Sequence, residues 1–291
     1  MSNRVLEFGR QYFASGDIDW DADVINVLPL RLDGTATDTS VKAITGCTVA
    51  TPGVITCTAH GFSNGDIVVI RGVGGTLNAN GTFKIAGVAT NTFQLQTLDG
   101  QNGTTVGTYT SGGCVINLSQ ADFVDDIDGA FCTGAAALSA AVAMTSKTNV
   151  KGLLSAATVA GIALNDTAHA VVIAKNVSNA AATSRPLHFC DGKTLVRVVA
   201  AAASSATSLA VEPLEAPIDS GTVIQMTNGV AVTTTAPGVA GNRTLTVSAI
   251  SSAIAAGHHG DAQITNSGYP ISVTSGTFSH APDATFGFFT I

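Results

Sequence analysis

Charge is scarce in this 291-residue chain: Asp, Glu, Lys and Arg together make up 11% of residues, against about a quarter in ordinary globular domains. The 13 basic residues are scattered, and the formal net charge is −7 with a pI near 5.1. Binding nucleic acid through its phosphates needs clustered Lys and Arg, so that class of function is excluded. Aromatics are also few, at 5%. Low charge with few aromatics is a composition shared by disordered linkers. Here, however, 45% of residues are hydrophobic, many of them β-branched in short alternating runs that build cores. A folded, β-rich chain is expected.

Other absences narrow the reading. The five cysteines, Cys47, Cys57, Cys114, Cys132 and Cys190, are odd in number and widely spaced, with no CxxC pair, so neither a zinc site nor a disulfide framework is indicated. Cys47 and Cys57 fall where a hairpin could set them face to face, yet buried free thiols acting as small apolar side chains are the expected state. No uncharged apolar run is long enough to span a bilayer as a helix, the Ala-rich stretch 135–144 being too short. The first ten residues lack the apolar core of a secretory signal. A soluble chain made in the cytoplasm, with no membrane partner, is expected. The sequence carries no GxSxG, HExxH, P-loop or strand-following GxGxxG motif. The Gly-Gly pairs at 74–75 and 112–113 precede no helix, so no phosphate cradle is expected. No catalytic, cofactor-binding or metal-ligating residue is assigned, and a non-enzymatic role is expected.

Asp17-Ile-Asp-Trp-Asp-Ala-Asp23 is the sharpest local constellation. Alternating carboxylates suit Ca²⁺, but an EF-hand loop beginning at Asp17 requires Gly at 22 and Glu at 28, where Ala22 and Leu28 stand. A solvated turn whose acids cap neighbouring amides is the expected state, with Trp20, the only tryptophan, plugging a core. His258-His259 reads as an exposed turn, because adjacent side chains diverge and no acidic or Cys partner is evident nearby. His60 falls in a hairpin turn, and His169, His188 and His280 lie in separate segments.

What is present is β structure in blocks. Val5, Leu6, Phe8, Tyr12 and Phe13 form a helical stripe over 3–14. Val24–Leu32 reads as a strand, which Pro29 should confine to an edge or a bulge. Short strands follow at 67–73, 81–88 and 91–96, punctuated by Gly74-Gly75, Asn80-Gly81 and Asp99-Gly100, pairs that favour tight hairpins. The β pattern resumes at Cys114–Leu118 and continues through candidate strands at 137–144, 159–164, 168–175 and 186–190. Residues 206–221 then match 242–257 at an offset of 36, pairing Leu209 with Leu245, Val211 with Val247, Leu214 with Ile250, Ile218 with Ile254 and Gly221 with Gly257. Two copies indicate a duplicated β element rather than a solenoid. The expected fold class is mainly all-β: a β-sandwich host domain with a short N-terminal helix, built from 1–40, 115–192 and 262–291. It is interrupted by a small β-barrel module at 41–114 and by a repeat-bearing β module at 193–261. Insertions are tolerated at exposed loop tips, so the first module is expected to be an outward or neighbour-reaching appendage.

The host segments, once joined, resemble a family of small virion proteins of tailed bacteriophages. The resemblance lies in Phe8–Val27 with its GDIDW turn, Phe123-Val-Asp-Asp-Ile, Ala170-Val-Val-Ile-Ala-Lys, Ser184-Arg-Pro-Leu-His-Phe-Cys-Asp-Gly and the terminal Phe286-Gly-Phe-Phe. The first insert, through Ala59-His-Gly-Phe-Ser-Asn-Gly-Asp and Asn80-Gly-Thr-Phe, resembles small β-barrel modules of phage tail and capsid-associated proteins. The second resembles Ala/Thr/Val-rich repeat modules of phage structural genes. The resemblance implies a structural protein of the virion: a capsid decoration or cement protein bound to the major capsid protein lattice, homo-oligomeric and most simply trimeric, with no cofactor. A tail or fibre component and a host-surface glycan-binding adhesin are the alternatives. The sparse aromatics Phe62, Phe83, Phe93 and Tyr109 do not favour the adhesin.

Overall fold

A computed structural model describes residues 4–5, 7–35, 39–132, 142–150, 153–156, 159–164, 167–265, 271–272, 276–280 and 289–290. The fold is mainly β, with several antiparallel sheets and a single α-helix, Glu7–Ser15, among the described residues. Most of the 137–144 strand candidate and parts of the C-terminal tail lie outside the described residues.

The host centres on a five-stranded sheet in the order Arg4–Val5, Arg185–Cys190, Ala170–Lys175, Ile25–Leu30, Val142–Ala143. Its inner strands read as near-continuous apolar runs because both faces are covered. Ile25, Val27, Val171, Ile173 and Leu187 point into one core with Ile18, Trp20, Met144 and Leu154. Leu28, Leu30, Ala170, Val172, Ala174 and Phe189 point into another. The strand carrying Pro29 is not an edge, since it pairs with Ala170–Lys175 along its length and with Val142–Ala143 at Val27 and Asn26. Pro29 lies beyond that second pairing, where its carbonyl accepts from the Cys132 amide at 2.9 Å. The tail contributes Ile271–Ser272, Gly276–His280 and Phe289–Thr290, which pair with Thr167–Ala168, Val159–Leu164 and Leu153–Ser155.

The first module is a closed barrel. Its sheet runs Val41–Ala43, Cys114–Asn117, Ile67–Arg71, Gly81–Ala89, Thr92–Gln96, Val54–Thr56, Gly46–Cys47. The two terminal strands are separated only by Ile44 and Thr45, whose amides donate to Gly113 O and Thr56 O, both at 2.9 Å. One bent stretch therefore pairs with both ends of the sheet, and closure removes the exposed edges. The strand Cys114–Asn117, expected to resume the host sheet, instead pairs with Val41–Ala43 and Ile67–Arg71.

Strand alternation explains how this barrel meets the host. Val68, Ile70 and Val115 point into the barrel's own core, with Ile55, Phe83, Ile85, Phe93 and Leu95. Val41, Val69, Cys114 and Ile116, on the opposite faces of the same strands, complete the host core around Leu28, Leu30, Val172 and Phe189. The module is thus not a separate body hung on the host: apolar side chains from both units form one continuous core.

The second module has its own core, drawn entirely from residues 196–262. The repeat is a pseudo-two-fold. Ser208–Ala210 pairs antiparallel with Thr244–Thr246, setting Leu209 directly opposite Leu245. Hydrogen bonds recur across the axis: Val211 N to Arg243 O is matched by Val247 N to Thr207 O, and Leu214 N to Asn242 O by Ile250 N to Ala206 O. The relation extends past the sequence match. Val223–Gln225 pairs with Ala231–Thr233, and the positions 36 residues away repeat this pairing, 259–261 with 195–197. Near the axis the backbones close up, so that a Cβ on Gly260 would lie 2.5 Å from Gln225 O.

Candidate functional site

The host, the barrel and the second module converge on one buried ion cluster. The strand Ile67–Arg71 ends with Arg71, whose side chain leaves the barrel wall. Its Nε and Nη2 donate to Asp191 Oδ2 at 2.9 and 2.5 Å, and Nη2 also donates to Asp261 Oδ2 at 2.7 Å. Nη1 donates to the carbonyl of Ile70 at 2.8 Å. Asp191 directly follows the host strand Arg185–Cys190, and Asp261 lies mid-strand in His259–Gln263 of the second module. The three side chains are 10%, 3% and 2% exposed. Burial alone would push the guanidinium down, but the two carboxylates outweigh it and hold Arg71 above its ordinary value.

The shell around the cluster is polar. Thr82 Oγ1 donates to Asp261 Oδ2 at 3.2 Å, and the Lys193 amide donates to Asp191 Oδ1 at 3.2 Å. His259, 1% exposed, sets Nε2 2.7 Å from the Thr82 carbonyl. Burial pushes its imidazole below the usual histidine value, against the opposing pull of the Thr82 carbonyl and Asp261. The expected exposed turn at His258-His259 is therefore overturned: His259 begins a strand and is packed against the barrel. His258 is half-buried, its Nδ1 2.9 Å from Thr227 Oγ1. Further along the same seam Arg197 pairs with Glu212 at 2.5 Å and with Asp99 of the barrel. The Thr104 amide donates to Thr227 O at 2.7 Å, and Gln101 Nε2 to Ala256 O at 3.0 Å.

A cluster this enclosed cannot meet a soluble substrate. What it can do is fix three units in one relative position: one guanidinium is shared by two carboxylates, so removing Arg71 strands buried carboxylate charge, and removing either aspartate cuts the link between Arg71 and that unit.

The other singled-out residues take structural places. In the Asp17–Asp23 turn, Asp19 Oδ1 accepts from the amides of Asp21 and Ala22, and Asp23 Oδ2 from the Asp19 amide. The cationic partner there is an ammonium: Lys175 Nζ lies 2.6 Å from Asp17 O and 2.8 Å from Asp23 Oδ2, and Lys147 Nζ donates to Asp23 O. Trp20 is buried in the host core. His60 is 2% exposed and packs on Phe62 and Phe93 while its Nδ1 accepts from the Phe62 amide. The Nδ1 of His169 accepts from the Leu32 amide, and His188 is buried in strand Arg185–Cys190. His280 lies in Gly276–His280, away from the cluster in sequence. All five cysteines are free, and burial drives Cys57 up to about 11 and Cys114 up to about 12. No group of three His, Cys, Asp or Glu able to hold a metal occurs among the described residues, nor does any helix there long and apolar enough to cross a membrane.

A second, half-buried cluster ties the N-terminal helix to the host. The Arg185 guanidinium stacks 3.9 Å from the Phe123 ring centre and 4.7 Å from that of Tyr12, and its Nη1 is 3.6 Å from Asp122 Oδ1. Tyr12 donates its hydroxyl to Asp122, and burial together with that carboxylate pushes Tyr12 up to about 12.

Arg71, Asp191 and Asp261 were not found from sequence. The available signal was weak: a lone Arg closing the apolar run Ile67-Val-Val-Ile-Arg71, and a lone Asp after Leu187-His-Phe-Cys190. A charge at the end of a buried strand needs a partner, but these partners are 120 and 190 residues away. Neither a scan against protein-family models nor a search of curated proteins returns a match.

Proposed function

We propose that this chain is a non-enzymatic structural protein of a tailed-bacteriophage virion, acting as a capsid decoration protein that binds the major capsid protein lattice as a homo-oligomer, with a trimer favoured at a local three-fold position. One observation carries the reading. Four of the segments that bear the family resemblance are far apart in the chain, yet they assemble into one host unit; the fifth, Phe286-Gly-Phe-Phe, lies mostly outside the described residues. Tyr12 from the first, Phe123 from the second and Arg185 from a later one stack together. Trp20 of the GDIDW turn shares a core with Val171, Leu187 and Cys190. Both inserts are bonded to this host or to each other, which suits a body that must transmit load between lattice contacts. The mechanism is mechanical: area buried at each subunit boundary, on the order of 1,600 Å² for a stable interface, is multiplied over many identical copies.

The test is to locate the protein in purified particles by quantitative mass spectrometry of separated heads and tails. The reading expects it on heads at hundreds of copies, and purified protein should rebind heads stripped of it. Recovery with tails at low copy number would replace it with a tail or fibre role, and absence from particles would overturn it.

A further inference from the structure

Apolar side chains stand exposed at one end of the barrel. Successive strands there run in opposite directions, so the connections 48–53, 72–80 and 97–113 all fall at the same end. They present Val49, Leu77 and Val106, which are 59%, 56% and 40% exposed. Two buried polar side chains brace these connections. Thr105 donates its hydroxyl to Thr48 O at 2.5 Å and accepts from the Ala50 amide at 3.2 Å. Asn78 donates to Thr104 O and accepts from the Val106 amide at 2.9 Å. The backbones also touch, since a Cβ on Gly75 would lie 1.8 Å from Thr108 O. Three loops are thus tied into one platform that holds aliphatic groups out in water. A preordered surface with clustered exposed aliphatic groups marks a contact site.

The chemistry of the platform selects its occupant. Its segments 48–51, 75–78 and 104–108 contain no Asp, Glu, Lys or Arg, although the chain carries a net charge of −7. Two copies approaching by these segments bring no like charges together. The polar groups beside the aliphatic ones are hydroxyls, with Thr51 Oγ1 and Thr104 Oγ1 2.7 Å apart, and a hydroxyl both donates and accepts. Around a symmetry axis each side chain meets its own kind, which hydroxyls and aliphatic groups tolerate and ions do not. The platform also continues the seam between barrel and second module. The Thr104 amide donates to Thr227 O at 2.7 Å, and a Cβ on Gly229 would lie 2.9 Å from Val106 Cγ1. We propose, resting on the homo-oligomeric reading above, that this platform is the contact between copies of the chain, with Val49, Leu77 and Val106 at its apolar centre.

The mass of the full chain in solution, measured by light scattering and by sedimentation, tests the proposal. Wild type should show a multiple of the 29.2 kDa chain mass. Val49→Lys and Leu77→Lys set like charges where copies meet, and each should weaken association by about a hundredfold or more. Val24→Lys on the host and Val239→Lys on the second module replace valines that are 52% and 60% exposed, and both should leave the mass unchanged. Short-wavelength Trp20 emission and an unchanged circular dichroism spectrum establish that each variant is folded. Should a lysine variant not fold, Leu77→Ser carries the same test by removing the apolar contact. A monomeric wild type would overturn both the platform and the oligomer, while location in the virion is decided separately by the particle measurement. An oligomer that survives the platform substitutions, or that the Val24 and Val239 substitutions dissolve instead, would overturn the platform alone.

Discussion

Leu209 and Leu245 stand directly opposite each other across the pseudo-two-fold of the second module, one strand position from each half of a single repeat. Each is at most 1% exposed, and each serves the same core from symmetry-related sides. Truncating either to Ala should cost about 2–5 kcal/mol, and the two costs should be nearly equal because the environments are equivalent. The double variant should depart from additivity, since the two side chains line one cavity. Denaturant unfolding of the four-member cycle measures all three statements, and unequal single costs would show that the halves have diverged in packing.

The same symmetry sets Ser205 against Gly241. Both adopt left-handed backbone, with φ of 68° and 87°. A side chain in that region carries a penalty of roughly 1–2 kcal/mol, whereas glycine occupies it freely but loses more entropy on folding. Gly241→Ala should therefore destabilise by about 1 kcal/mol or more. Ser205→Gly should lie near neutral, with relief of strain offset by the added chain freedom of the unfolded state. Thermal unfolding of the two variants checks the asymmetry.

Deleting residues 41–114 should abolish folding rather than yield a trimmed host. The deletion removes Val41, Val69 and Cys114 from the shared core and uncovers Leu28, Leu30, Val172 and Phe189. Burying a large aliphatic or aromatic side chain is worth about 1.5–3 kcal/mol, so exposing these four costs about 6–12 kcal/mol, comparable to the whole stability of most domains at about 5–15 kcal/mol. Trp20 provides the readout. Buried at 2% exposure in the host core, it should emit at short wavelength in the intact chain and at the wavelength of a solvated indole in the deletion variant. A soluble deletion variant that retained the short-wavelength emission would show that the host stands alone.

What the sequence made legible follows from period and locality. The barrel strands at 67–71, 81–89 and 92–96 show as short β-branched runs ended by glycine-bearing turns, because each turn is decided by the residues within it. The 206–221 and 242–257 match is visible because its apolar positions are the ones facing the module core. The rest of the repeat is hidden, because the aligned residues differ in kind: His259 stands opposite Val223 in the alignment and Asp261 opposite Gln225, and both His259 and Asp261 bond to the barrel. Cys114–Asn117 reads equally well as host or barrel strand, since Val115 serves one core and Cys114 and Ile116 the other. The ion cluster left no pattern, because a salt bridge spanning 190 residues has no local signature.

His259 supplies a signed pH dependence. Its imidazole is held below the ordinary value of about 6.5 by burial. The unfolded chain therefore binds a proton first as pH falls. The contribution of His259 to stability is complete above about pH 6.5 and is lost as the pH drops from there toward its lowered folded value, with a slope of at most about 1.4 kcal/mol per pH unit. Replacing it by Gln, which keeps a donor for the Thr82 carbonyl but does not titrate, should flatten the stability curve between about pH 7 and pH 5. His258 is lowered for the same reason, so the curve of the single variant should flatten in part and that of the His258→Gln, His259→Gln double variant further. Chemical denaturation across that pH range measures the slopes, and an unchanged slope in the double variant would place the acid sensitivity elsewhere in the chain.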